Sequence, residues 1–223
     1  MNYKSLIKEA EVRGYSAQEL LLPSLPKDGK HFLKELTQRF PGENAAVFGR
    51  DRFKEDVEIT SYPHATSSWY DDRKIRCLLW PGDLTIEGDL IDDDFNMLPL
   101  LIVKGNLSLR NWLHGGMPAF VGGSVRAKGF IIGHYNDSAL FVGGDLTAAG
   151  YIPRAKPYKD YPKVVPHQIA GKIDARKFDN TEATKEGLQA AFVDEALTEE
   201  DGEVYLDEKA VFERSNAGLP VWR

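Results

Sequence analysis

Leu100-Leu-Ile-Val-Lys-Gly-Asn-Leu-Ser-Leu109, Ala119-Phe-Val-Gly-Gly-Ser-Val-Arg-Ala127 and Leu140-Phe-Val-Gly-Gly-Asp-Leu-Thr-Ala148 are three versions of one phrase. Each reads Val, any residue, Gly, a small polar residue, an aliphatic residue, any residue, and an apolar or small residue. The anchor glycines Gly105, Gly123 and Gly144 are spaced by 18 and 21 residues. A strand-like unit recurring every 20 residues or so cannot bury its apolar face alone, and stacking one unit on the next is how it does so. The stretch from Leu100 to Ile152 therefore decides the architecture.

The phrase extends in both directions. Trp80-Pro-Gly82-Asp-Leu84-Thr-Ile86 carries Trp in place of Val, and Ile86-Glu-Gly88-Asp-Leu90 echoes it six residues later. Downstream, Ile169-Ala-Gly171-Lys-Ile173-Asp-Ala175 fits again. The spacing is 23 from Gly82 to Gly105 and 27 from Gly144 to Gly171, with Asp92 to Met97 and Pro153 to Pro162 as the inserted loops. Five turns are expected, and their strands pair in parallel about 4.8 Å apart. The anchor glycines mark places where the backbone bends tightly or takes a positive φ. Leu107/Leu109, Val125/Ala127, Leu146/Ala148 and Ile173/Ala175 point inward by strand alternation. A second inward row is expected at Trp112-Leu113, Phe130 to Ile132, Tyr151-Ile152 and Phe178.

Both flanks lack the repeat. Ser16-Ala-Gln-Glu19 is a capping box opening a short turn or helix from Ala17 to Leu22, stopped by Pro23. Phe32, Leu33, Leu36 and Phe40 form one helical face between Asp28 and Pro41. Ala45 to Phe48 is a short strand or helix. Arg50 to Asp72 reads as irregular, with a turn at Tyr62-Pro63-His64. After Phe178, Leu188, Ala191 and Phe192 give another helical face, and Asp207-Glu208 starts a short helix ending near Asn216 or Gly218. The apolar tail Leu219 to Trp222 packs back on the body. The expected fold is mainly β: a parallel β-solenoid (β-helix) of about five turns over residues 76–178, with α-helical N- and C-terminal caps at 1–75 and 179–223.

Composition narrows the function. The chain has 223 residues, 42% hydrophobic, with a net charge of -6 and a pI near 5.4. That is a folded protein, and its acidity disfavours a nucleic-acid partner, since phosphate binding needs clustered Lys and Arg. The one cysteine, Cys77, rules out an intrachain disulfide and lies in the apolar run Ile75 to Trp80. It reads as a small buried residue; a reactive thiol has no flanking feature behind it. Met1 to Glu9 has no hydrophobic signal core, and no apolar run is long enough to span a membrane, so a cytoplasmic location is expected.

The search for chemistry finds no catalytic set, no cofactor and no metal site. His31, His64, His114, His134 and His167 are scattered without ligand spacing. Asp92-Asp93-Asp94 lacks the alternate ligands of a calcium loop and reads as a solvated turn. No nucleophile elbow, phosphate loop or dinucleotide fingerprint occurs. Hexapeptide acyltransferases also stack β-turns, and His114 or His134 would be the candidate base, but the spacings of 23, 21 and 27 depart from their regular 18. Surface features remain. Asp83, Glu87, Asp89, Asp92, Asp93 and Asp94 form one acidic group. The segment Asp194 to Glu208 forms a second, with eight acidic residues and no Lys or Arg. Either these runs are solvated faces, or they capture a basic partner. Trp112, Tyr135 and Tyr151 are either interface anchors or inner rungs.

The repeated phrase resembles two groups. One is the bactofilins, single-domain bacterial proteins that polymerise end to end as β-solenoids. The other is a set of bacterial solenoid proteins with helical caps found as immunity proteins beside polymorphic toxins. Leu98-Pro-Leu-Leu-Ile-Val-Lys-Gly-Asn-Leu107 and Asn216-Ala-Gly-Leu-Pro-Val221 look like the second. Bactofilins lack large flanking segments, whereas here about 75 residues precede the repeats and about 45 follow. The resemblance implies a non-enzymatic immunity protein that occludes a basic toxin surface, with a nuclease as the expected toxin class. A bactofilin-like scaffold is the alternative and a hexapeptide-type acyltransferase the third reading. The expected partner surface comprises Asp92, Asp93, Asp94, Trp112, His114, His134, Tyr135, Glu199, Glu200 and Asp201. The sequence leaves oligomeric state and handedness open.

Overall fold

The computed structural model describes residues 1–38, 44–59, 75–92, 99–133, 139–153, 167–178 and 184–223. The chain is mainly β, and most of its strands pair in parallel. It opens with α1 (Tyr3–Lys8), β1 (Glu11–Gly14) and α2 (Lys27–Gln38). Six groups of strands follow. They are β2 (Asn44–Val47), β3 (Arg52–Phe53) and β4 (Val57–Glu58); β5 (Ile75–Trp80), β6 (Leu84–Ile86) and β7 (Leu90–Asp92); and β8 (Leu100–Val103), β9 (Leu107–Leu109) and β10 (Trp112–His114). Then come β11 (Ala119–Val121), β12 (Val125–Ala127) and β13 (Phe130–Gly133); β14 (Leu140–Val142) with the long β15 (Leu146–Ile152); and β16 (Gln168–Ile169) with β17 (Ile173–Lys177). The chain ends with α3 (Lys185–Ala191), β18 (Leu197–Glu200), β19 (Glu203–Leu206) and α4 (Glu208–Asn216).

Each strand pairs with its counterpart one group earlier and one group later, which sorts them into three rows. The first row is β2, β5, β8, β11, β14, β16; the second begins β3, β6, β9, β12; the third begins β4, β7, β10, β13. The long β15 and β17 serve the second row with their first halves and the third with their second halves. The register puts like on like. Leu84, Leu107, Val125, Leu146 and Ile173 align in one column. Val57, Leu90, Trp112, Ile131 and Tyr151 align in another. All but Ile173 are buried and belong to one apolar cluster. Burying such a side chain stabilises by roughly 1.5–3 kcal/mol, but each rung has water on no side only because the neighbouring groups are present.

The rows differ in their outer faces, and that difference places the helices. In the first row Leu79, Ile102, Phe120 and Phe141 point away from the shared interior and form a second cluster with Leu20, Leu22, Leu25, Leu33 and Leu36. α2 and the turn before it therefore lie along the outer wall of this row. Phe120 and Phe141 stack at 5.4 Å, and Phe32 of α2 lies 5.8 Å from Phe141. In the third row Phe130, Ile132 and Ile152 face outward into a cluster with Leu188, Phe192, Leu206, Val211 and Phe212 of the C-terminal segment. The second row carries Arg126 and Thr147 outward, both exposed. The unbroken apolar runs of β8 and β13 are what strands buried on both faces require, whereas Leu-Ser-Leu and Val-Arg-Ala alternate because one face is wet.

Three expectations change here. Residues 1–75 do not form only a helical cap: Asn44 to Glu58 supplies a complete strand group in register with the next. The two-residue strands β3 and β4 carry too few residues to show alternation. Helices α2, α3 and α4 flank the rows rather than covering their ends, because the outer faces of rows one and three are themselves apolar. The acidic C-terminal segment is not helical throughout, since β18 and β19 form an antiparallel hairpin. Other readings stand. Ser16 Oγ accepts from Glu19 N at 3.2 Å, Asp207 Oδ1 caps α4 through Ala210 N at 2.9 Å, and Trp222 packs on Phe192 at 4.6 Å. The Tyr62-Pro63-His64 turn and the helix end at Phe40-Pro41 lie outside the described residues.

The repeated polar residue and the anchor glycine explain each other. Asp83 Oδ1 accepts from Asn106 N at 2.7 Å, Asn106 Oδ1 from Ser124 N at 2.9 Å, Ser124 Oγ from Asp145 N at 3.0 Å and Asp145 Oδ1 from Lys172 N at 2.8 Å. This ladder satisfies backbone donors at a corner where strand pairing lapses. Each side chain occupies the space where the next anchor residue would carry a Cβ. A methyl on Gly123 would stand 2.5 Å from Asn106 Oδ1, and one on Gly144 2.5 Å from Ser124 Oγ. The expected positive φ is not the reason: among the described residues positive φ occurs at Asp201, Gly202 and Gly218 alone.

Candidate functional site

Two places concentrate polar groups, and the six described residues expected to share one partner surface divide between them. The first lies inside. β7 and β10 align Asp92 with His114, and β13 puts Gly133 beside them, so the Asp92 and His114 side chains point into the interior at the C-terminal ends of their strands. Asp92, Trp112 and His114 are each 0% exposed. They are therefore not partner-facing, which corrects the expectation for all three. Strand alternation turns residues 90, 92, 112 and 114 to the same inward side, and no spacing of acidic residues overrides that.

His114 Nδ1 stands 3.6 Å from Asp92 Oδ2, which also accepts from Met117 N at 3.2 Å. The Trp112 ring packs 4.9 Å from the His114 ring, and His167 lies 5.5 Å from it on the other side. Tyr151, in the Trp112 column two strand groups on, shares a 2.8 Å hydrogen bond with His167 Nδ1. Burial pushes the Tyr151 phenol well above its ordinary range. Among the described residues no three His, Cys, Asp or Glu side chains converge to hold a metal ion. His114, the candidate base of the acyltransferase reading, is itself wholly buried. Sequence spacing gave no sign of this cluster, since its members come from four different strand groups.

The remaining acidic residues near the repeats are also structural. Asp83 belongs to the corner ladder. Glu87 pairs with Arg52 at 2.7 Å. Asp89, 6% exposed, accepts from Arg110 Nε and Asn111 Nδ2, each at 2.8 Å, and from Asn216 Nδ2 at 3.3 Å. That last bond ties α4 to the third row. Asp93, Asp94, His134 and Tyr135 lie outside the described residues.

The second place is the hairpin. Asp201 and Gly202 take φ of 52° and 79°, the two-residue turn whose twist matches antiparallel strands. The Asp-Gly pair is a hairpin signal in the sequence itself, and it was there to be read. Glu199, Glu200, Asp201 and Glu203 are exposed on this hairpin, while Leu197, Val204 and Leu206 pack it onto the third row. The acidic segment is partly neutralised by residues from outside it. Arg223 pairs with Asp194, Arg214 with Glu195 at 3.8 Å, and Lys185 with Glu199 at 3.5 Å. Glu200, Asp201 and Glu203 are the exposed acidic residues nearest the tip.

Compared with known proteins, the chain matches no family model, no curated protein and no solved structure. Among the described residues no helix is long and apolar enough to cross a membrane.

Proposed function

We propose that the chain is a non-enzymatic binding protein, an immunity protein that neutralises a basic toxin, with a nuclease as the expected class. The scaffold in this reading is a parallel β-solenoid of six turns whose three walls are the three strand rows. The parallel register from β2 through β17 supports it. The observation that carries the functional reading is the hairpin: four exposed carboxylates, Asp201 on the two-residue turn and Glu199, Glu200 and Glu203 on the strands beside it, with those strands anchored in an apolar cluster. A rigid acidic projection raises the encounter rate with a basic cleft and loses little conformational freedom on docking.

The burial of Asp92, Trp112 and His114 takes these three out of the surface, and this reading places it on Glu199, Glu200 and Asp201, joined by Glu203 of the same hairpin. The test is co-purification of tagged protein from its native host, followed by co-expression of the captured protein in a neutral host. The reading expects a basic protein that arrests growth alone and is tolerated with this chain. A captured partner that is harmless alone, or toxicity that co-expression leaves unchanged, would sink it.

A further inference from the structure

The two ends of the strand rows are finished differently. At the first end, β1 pairs antiparallel with β2 and covers its edge. Leu6 and Ile7 of α1, both 0% exposed, join the interior cluster beside Phe53 and Val57. At the last end, β16 pairs with β14 and β17 with β15, and among the described residues no strand pairs with their far edges. Ile173 continues the column of Leu84, Leu107, Val125 and Leu146, yet it is 43% exposed where Leu146 is 0%. The described C-terminal segment lies on the outer wall of the third row instead. An apolar column ending in an unpaired strand edge is a template for another strand.

We propose that this end is an interface with a second copy of the chain, related by a two-fold axis through Ala175. The charges on β17 specify that occupant. Asp174 and Arg176 flank Ala175, and both align with outward positions, Thr147 and Gly150 of β15. Antiparallel pairing about Ala175 sets Asp174 opposite Arg176 of the second copy, and the reverse contact repeats it. Opposite charges across a strand pair are favourable, and a contact made twice is the mark of an isologous interface. Ile173 then faces Lys177 of the second copy, whose aliphatic stem covers it while the ammonium reaches water. Arg176 is held in place beforehand: it donates to the Arg223 carbonyl at 3.1 Å and lies 4.6 Å over the Trp222 ring. Lys172 and Lys177 on the same edge discourage pairing with an arbitrary strand. Because the first end is covered, the assembly closes as a dimer and does not grow into a filament.

This proposal rests on reading the rows as one stack, and the experiment separates the two. Sedimentation equilibrium at micromolar concentration gives twice the chain mass of 25.0 kDa. Ile173→Glu gives the single chain mass with an unchanged far-ultraviolet circular dichroism spectrum. Ala175→Cys, which faces itself across the axis, forms a disulfide-linked dimer on mild oxidation, whereas Cys77 is buried and does not interfere. A wild-type monomer, polymers beyond the dimer, or an Ala175→Cys chain that stays uncrosslinked would overturn the proposal. Amide exchange on the same samples shows which part fails. Protected β8, β11 and β14 in a monomer sink the dimer alone; unprotected amides throughout those strands sink the stack as well.

Discussion

Replacing Gly123 with Ala tests why the repeat needs glycine. The new methyl would stand 2.5 Å from Asn106 Oδ1 and 2.8 Å from the Gly105 carbonyl oxygen. Asn106 can swing away only by giving up its 2.9 Å bond from Ser124 N. The Gly105 carbonyl cannot move, because it accepts from Gly123 N at 2.8 Å within the pairing of two strand groups. Overpacking of this kind costs about 1–3 kcal/mol, and the lost hydrogen bond about 1 kcal/mol, so Gly123→Ala destabilises by roughly 2–4 kcal/mol. Gly82 occupies the same place in the motif but has nothing within 4 Å of a built Cβ and no positive φ. Gly82→Ala should therefore be neutral or stabilise by up to about 1 kcal/mol, through the less flexible unfolded chain. Urea unfolding of both variants, with the denaturant slope unchanged, measures the difference. Equal destabilisation at the two positions would refute the close-approach explanation and restore a requirement for special backbone geometry.

Three further outcomes follow from the packing and the interior cluster. Phe141→Ala removes a 1% exposed ring between Phe120 and Phe32 and should cost about 3–5 kcal/mol in the same assay. Asp145→Ala removes the acceptor for Lys172 N, and amide exchange at Lys172 should speed up while β11 stays protected. Tyr151 has its proton affinity raised by burial, so the folded state holds that proton where the unfolded chain releases it. Its contribution is complete below the ordinary value of 10.0 and declines as pH rises beyond it. Tyr151→Phe should flatten the alkaline loss of stability; an unchanged slope in urea titrations above that pH would show that the phenol is not responsible.

The middle of the chain was legible because its signal is redundant. Gly105, Gly123 and Gly144 recur with flanking aliphatic residues, and strand alternation at Leu107-Ser108-Leu109 gives the inward side directly. The group β2 to β4 was not legible: Arg52-Phe53 and Val57-Glu58 are too short for periodicity, and the Gly-polar phrase is missing. The outer walls were half-legible. Leu100 to Val103 is apolar at every position, a sign of burial on both faces, but nothing local names α2 as the cover. Charge was the misleading signal. Asp83, Asp89 and Asp92 read as a surface run along the chain, yet their roles are set by neighbours in the next strand group. Asp83 meets Asn106, Asp89 meets Arg110 and Asn111, and Asp92 meets His114. Composition counts charges without knowing which of them the strand pairing turns inward.

The proposed capture of a basic partner by the acidic hairpin is tested most directly by the association rate with the protein that co-purifies with this chain, measured by stopped flow for the wild type and for Glu199→Lys/Glu200→Lys/Asp201→Lys. These side chains are exposed, so the variant keeps the fold. The account predicts a rate lower by about 10-fold or more at low salt, with the difference shrinking as ionic strength rises. An unchanged rate at every salt concentration would contradict it and move the binding surface elsewhere on the molecule.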